Sequence, residues 1–232
     1  DPTKRGRFNI GEKQAFAVCN EAMVVTTKGT IIFNSQGRKH SASSIPNGTI
    51  VQVILDGTNK DVEELQEYAK NILPPQNVVY SVNNFVVSYK IPHKIIKEIS
   101  LLTEKENEQG TLVRAFRKTD IHLHLNSSGK AYLYELGISV QEIDCNYGID
   151  VQQRVPLNID REAVLDSFLQ DLFSEVLNNT YQEIKPEDSS NLWIREAMTD
   201  DRIKTEAVKE VITKRYGTRV AVANPFDKNS ID

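Results

Sequence analysis

Gly6-Arg7-Phe8-Asn9-Ile10-Gly11-Glu12-Lys13 runs directly into an apolar-periodic stretch over 14–22, and the reading of this junction governs the rest of the chain. Two glycines, the basic residues Lys4, Arg5, Arg7 and Lys13 around them, and a helix opening behind the second glycine are the parts of a phosphate cradle. Glycine lets backbone approach a ligand closely, and the free N–H groups and positive dipole end of a helix favour anions. The same spacing also describes an ordinary turn, and the basic residues also suit a solvated surface cluster. Ala15, Phe16, Val18, Cys19 and Ala22 share one stripe, which predicts a helix over 12–22 packed on a sheet.

Beyond this helix, 23–28, 30–34 and 49–55 are short Val/Ile/Thr-rich runs separated by Gly29, by 36–40 and by Pro46-Asn47-Gly48. They read as antiparallel strands joined by hairpins. After Asp56-Gly57 the period changes to 3.6, with Val62, Leu65, Tyr68, Ala69 and Ile72 on one face of a helix over 61–73, Asp61 and Glu64 as a capping box, and Pro74-Pro75 as the stop. A domain boundary is therefore expected at 56–60.

Strands follow at 77–82 and 85–89, turning at Asn83-Asn84. Ile91, Ile95, Ile96 and Ile99 suit a short helix or a strand equally, and 104–110 reads as a charged loop. Further strands are expected over 111–125, 130–134 and 140–145. The strongest helix signal covers 160–178, with Asp160 as N-cap and an apolar face from Val164 to Leu177. A polar stretch at 184–190 then leads to one or two helices over 192–216, ended by Gly217, and a strand over 219–223. The fold class is α+β.

With 39% hydrophobic and 26% charged residues among 232, the composition is that of an ordinary globular protein of one domain or two. A net charge of −4 argues against whole-chain affinity for nucleic acid or anionic lipid, while leaving room for a local basic patch. No apolar run approaches the roughly 20 residues of a spanning helix and no signal peptide is visible, so no membrane insertion and a cytoplasmic setting are expected. Cys19 and Cys145 form neither a disulfide framework nor a metal knuckle. The chain starts at Asp1 rather than methionine and ends in polar 227–232, which leads to the expectation that it is a piece of a longer polypeptide.

Gly6-Arg7-Phe8-Asn9-Ile10-Gly11, then a helix, then a strand over 23–27, resembles the ATP lid of the GHKL-type ATPases, the superfamily of gyrase B, the ninety-kilodalton heat-shock chaperone, histidine kinases and MutL. Gly48-Thr49-Ile50-Val51 is similar to the Gly-Thr-x-Val segment that follows the lid in that superfamily. Downstream, Val155-Pro156-Leu157-Asn158-Ile159-Asp160-Arg161-Glu162 resembles the chaperone's Pro-Leu-Asn-x-Ser-Arg-Glu segment, with Asp160 in place of the serine. Gln152-Gln153-Arg154 resembles the Gln-Thr-Lys loop of gyrase-like transducer domains. The stretches 130–138 and 151–164 are also similar to phage-encoded members, including phage lysis-inhibition proteins.

The resemblance implies the C-terminal part of a Bergerat-type ATP-binding sandwich over 1–57, a mixed α/β transducer over 58–180, and a linker with a helical segment over 181–232. It assigns ATP phosphates to Gly6, Arg7, Phe8, Asn9, Ile10, Gly11 and Lys13, and sensing of the terminal phosphate to Arg161 or Arg154. A guanidinium suits that role because its bidentate charge-assisted bonds disappear on hydrolysis. Mg²⁺ and the catalytic water would be held mainly by a glutamate, an asparagine and an Asp-x-Gly-x-Gly loop that precede the lid in the family, so the chain is an ATPase only together with that part. Closure would pass nucleotide state to a homodimer mate or to a protein or DNA partner.

Blander readings accompany these. Arg161 also suits a helix first turn paired with Glu162 or Asp160. His122 and His124 alternate on one strand face without a third ligand in the motif, so no metal site is assigned. Trp193 reads as a core anchor. The competing function is a non-catalytic binding or scaffold module of the same architecture, using a basic face for nucleic acid.

Overall fold

The computed structural model describes residues 2–3, 11–126, 129–158 and 163–218, and for 11–14 the backbone alone. The chain is mixed α+β and divides into two compact units, Arg5–Asn71 and Ile72–Asp232, the latter together with Asp1–Lys4.

In the first unit, α1 (Gly11–Val18) precedes β1 (Glu21–Thr26), β2 (Gly29–Asn34), β3 (Gly37–Ser41) and β4 (Thr49–Ile54), an antiparallel sheet of order β3-β2-β1-β4. The helix rests on the sheet through Phe16, whose ring stacks on Phe33 at 5.3 Å. It ends earlier than its stripe predicts. Ala22 is already in β1, buried between Phe33 and Val53 of the flanking strands, and Val18 is exposed.

The polar stretch expected as a connector at 36–40 is a strand. Arg38, Lys39 and His40 pair with β2 and stay exposed, because an edge strand tolerates charge that a central one does not. The unit closes with α2 (Asn59–Lys70). Its capping box is set three residues earlier than expected: Thr58 is the N-cap, its Oγ1 accepts from Asp61 N, and Asp61 Oδ2 accepts from Thr58 N. Of the expected apolar face, Val62, Leu65 and Tyr68 are exposed while Ala69 and Ile72 are half-buried.

The second unit opens with a hairpin, β5 (Tyr80–Val82) and β6 (Phe85–Val87), turning at Asn83-Asn84 with Asn83 at φ 53°. Its main body is a five-stranded mixed sheet of β7 (Lys94–Glu106), β8 (Leu112–Leu125), β9 (Ala131–Glu135), β10 (Ile138–Ile143) and β11 (Tyr147–Val151), ordered β10-β9-β11-β8-β7. The β9–β11 pair is parallel and the other pairs are antiparallel.

β7 resolves the ambiguous isoleucines. A bulge between Ile96 and Ile99, with Glu98 at φ 55°, shifts the inward positions from Ile96 to Leu101 and Thr103, so neither a helical nor an alternating period survives along it. β11 gave no strand signal because all five of its residues are buried and two are Gly148 and Asp150.

One face of this sheet carries Leu101, Ile121, Leu123, Ile149 and Val151 and packs against Phe168, Leu172 and Val176 of α3 (Asp166–Thr180). The helix begins later than 160. Ala163, Val164 and Leu165 are engaged in a loop where Asn158 N donates to Ala163 O, Val164 N to Gln141 Oε1 and Leu165 N to Pro156 O. Residues 159–162 lie outside the described residues, as does the strand expected at 219–223. A 3-10 turn (Pro186–Ser190), α4 (Leu192–Ala197) and α5 (Thr205–Tyr216, with Gly217 at φ 88° as its cap) complete the unit. Trp193, Ile194, Ala197 and Val211 enter the same core as α3, so Trp193 is the anchor its composition implied. Its Nε1–H donates to Asn146 Oδ1 at 2.8 Å.

Candidate functional site

Of the residues expected to hold phosphate, Gly6, Arg7, Phe8, Asn9 and Ile10 lie outside the described residues, as does Arg161. Gly11 and Lys13 are in the first turn of α1. The helix therefore opens at Gly11, the second of the two glycines.

Arg154 follows the end of β11. It is 4% exposed, so its side chain is enclosed. Its carbonyl accepts from Thr103 Oγ1 at 2.8 Å, and its N–H donates to Pro2 O at 2.9 Å. The stretch just ahead of the glycine loop is thus tied to the Gln152-Gln153-Arg154 loop. Neighbouring Gln153 is fully buried, with Nε2 donating to Leu101 O and Leu102 O. Val155 N donates to the buried Glu135 carboxylate at 2.8 Å. These bonds hold the loop against β7 and β9.

Gln152 points elsewhere. On the face of the sheet away from α3, strict alternation brings His122 and His124 of β8, Asp150 of β11 and Tyr134 of β9 together: Asp150 pairs with His122 on one side and Tyr134 on the other, and Gly148 pairs with His124. A Cβ on Gly148 would meet the Tyr134 ring at 3.3 Å, so the glycine leaves space for that ring.

Asp150 is 6% exposed, and both carboxylate oxygens are oriented, Oδ1 by Gly137 N–H at 2.8 Å and Oδ2 by Gln152 Nε2 at 2.6 Å. Gly137 sits at φ 82°, where a Cβ would overlap the Leu73 carbonyl oxygen, and its own carbonyl accepts from Leu73 N at 2.7 Å. That contact lays the Leu73–Gln76 segment over the sheet. The segments around Leu73 and Tyr89 roof a cavity of about 350 Å³ whose floor is His122, His124, Asp150 and Gln152.

His124 is 9% exposed, and its Nδ1 is buried with no hydrogen-bond partner among the described residues. Burial first, then the charges of His122 and Lys90, pushes its pKa down to about 4, so the ring is neutral at pH 7. The Tyr134 hydroxyl is pushed up to about 12 by burial and by nearby Tyr132 and Asp150. Sequence reading found the two histidines but not Asp150, because β11 carried no strand signal and register alone sets the carboxylate opposite His122. No three His, Cys, Asp or Glu side chains converge as metal ligands among the described residues.

Cys19 and Cys145 are free, and burial pushes the Cys145 thiol up to about 12, which makes it unreactive. No helix among the described residues is long and apolar enough to cross a membrane. Compared with known proteins, the chain matches no protein-family model, no curated protein and no solved structure.

Proposed function

We propose that this chain is the phosphate-closing and signal-transmitting part of a GHKL-type ATP-binding protein. The observation that carries the reading is the 2.9 Å bond from Arg154 N to Pro2 O, which joins the approach to the glycine loop to the loop that resembles the transducer's phosphate-touching segment. The opening of α1 at Gly11 also supports it, since the first N–H groups of a helix are free to donate to an anion.

In this reading the backbone of Phe8 to Gly11 donates to phosphate oxygens, and Lys13 with Arg7 adds positive charge. In this reading Arg161 or Arg154 senses the terminal phosphate, and the burial of Arg154 favours Arg161. Mg²⁺, where bound, neutralises phosphate charge. Among the described residues no three His, Cys, Asp or Glu side chains converge on a metal position. The resulting change is carried through Arg154, Thr103 and the core under α3 to a homodimer mate or other partner.

Calorimetric titration of the full-length protein with ADP and with a non-hydrolysable ATP analogue tests this. Arg161→Ala should weaken the analogue about tenfold while leaving ADP affinity unchanged, since only the terminal phosphate is sensed. No nucleotide binding, or equal loss for both ligands, would remove the proposal. A second reading, a non-catalytic nucleic-acid-binding module, is favoured by the exposed row Arg38, Lys39 and His40 on β3. It requires DNA or RNA affinity that falls steeply with salt and is lost when those three residues are neutralised.

A further inference from the structure

We propose that Asn47 is a self-modification site: in the bend Pro46-Asn47-Gly48 the backbone nitrogen of Gly48 attacks the Asn47 side-chain amide, and the residue becomes aspartate or isoaspartate with loss of ammonia. The reaction is confined to the first unit and needs no nucleotide.

Such a reaction needs a following residue that leaves its nitrogen open, a nitrogen not committed to a hydrogen bond, and a segment free to bring the amide carbon onto that nitrogen. Asn47-Gly48 is the one Asn-Gly pair in the chain, and glycine has no Cβ to shield its nitrogen. A Cβ built on Gly48 would meet nothing within 4 Å, so the surroundings are open as well. Asn47 and Gly48 are both exposed, and neither the Asn47 amide nor the Gly48 N–H has a hydrogen-bond partner among the described residues. The segment is anchored on each side of the bend instead: Thr30 Oγ1 donates to Ser43 O at 2.6 Å, Ile45 N to Thr26 O at 3.2 Å, and Thr49 pairs with Thr26 in β1. The residues between are held by none of these bonds, and Gly48, at φ 81°, supplies the turn.

Other asparagines lack these features. Asn20 Nδ2 donates to Asp56 Oδ1, Asn34 Oδ1 accepts from Gln36 N, and Asn107 Oδ1 accepts from the N–H groups of Gln109 and Thr111. Each is also followed by a residue with a Cβ. Asp56-Gly57, the corresponding acidic pair, presents a carboxylate, which is a poorer electrophile than an amide and is held by Asn20.

Water is the only co-reactant. Solvent hydroxide removes the Gly48 amide proton, the bond from Gly48 N to Asn47 Cγ forms, the Cγ–Nδ2 bond breaks with ammonia as leaving group, and a cyclic succinimide remains. Water then opens the ring at Cγ, which restores the normal backbone with aspartate, or at the Asn47 main-chain carbonyl carbon, which routes the backbone through Cβ and Cγ as isoaspartate. Either product adds a negative charge just ahead of β4. The isoaspartyl form also inserts a backbone carbon before Thr49 and so disturbs the first pair of the β1–β4 register.

Peptide-mapping mass spectrometry of the full chain, incubated near pH 6 and near pH 8, tests this, with an isoaspartyl methyltransferase as the probe for the rearranged product. Residue 47 should take on the mass gain of amide-to-acid conversion before any other asparagine, faster at the higher pH, and should become a methyl acceptor. Gly48→Ala should slow the conversion about tenfold through the added Cβ. If that variant fails to fold, Asn47→Gln, which keeps the glycine turn, should lose the methyl labelling with an unchanged Tm. No conversion at residue 47 in the folded chain while a free peptide of residues 43–51 converts, a rate indifferent to Gly48→Ala, or labelling that persists in Asn47→Gln would overturn the proposal.

Discussion

His124 combines two demands that a surface histidine does not face: its ring is buried on a central strand and it lies near the charges of His122 and Lys90. The unfolded chain takes up a proton on this ring near pH 6.5, whereas the native form resists until about 4. Its contribution to stability is therefore fully present above pH 6.5 and is lost as pH falls towards 4, where the unfolded state binds the extra proton. The loss is at most about 3 kcal/mol, and smaller as solvent at the cavity mouth screens the ring. Urea midpoints at pH 7 and pH 4.5 should differ more for the parent chain than for His124→Gln. Equal pH dependence of the two would show that other groups carry the acid sensitivity.

At the scale of elements, the β7 bulge decides which isoleucines face the core. Glu98 occupies the left-handed region, and its N–H is held by Asp120 Oδ1 at 3.0 Å from the neighbouring strand. Asp120→Ala removes a charge-assisted bond that fixes the bulge and should cost about 1–2 kcal/mol. By contrast, Lys118→Ala, which removes only the exposed pair with Glu98 at 3.5 Å, should leave stability nearly unchanged. Denaturation curves of the two variants distinguish them, and a larger loss for Lys118→Ala would contradict this account. The same bulge explains why 91–110 could not be assigned from periodicity: one inserted residue changes the parity of every inward side chain after it.

Across the whole molecule the two units differ in how much they bury. The continuous core, from Ile96 through Val211, belongs to the second unit, whereas among the described residues of the first only Ala22 and Thr30 are buried. Backbone opening is easiest where few apolar contacts must be broken. Hydrogen exchange should therefore reach the amides of β1, β2 and β4 well before those of β8 and β11. Uniform protection across both sheets would require stabilisation of the first unit that its described residues do not display. Nucleotide added in the same experiment should slow exchange in the loop before α1 if the lid reading holds.

The residue order alone contained most of the elements: β1, β2 and β4 of the first sheet, the Asn83-Asn84 turn, α3, the Gly217 cap and the mixed α+β class all follow from local period and punctuation. It also presented His122 and His124 as a pair on one face, and the junction at Gly11 as a helix start. Tertiary structure decided the rest. β3 is a strand because β2 offers it an edge, β11 because it is enclosed on both faces, and 163–165 stay out of α3 because their backbone groups are satisfied elsewhere. Asp150 joins the histidines only through the register of β11 on β8, and Arg154 is enclosed only because its loop folds back over β7. Local pattern records what a residue does for its own helix or strand. Which distant side chains share a buried surface depends on strand pairing between segments far apart in sequence, and no local period encodes it.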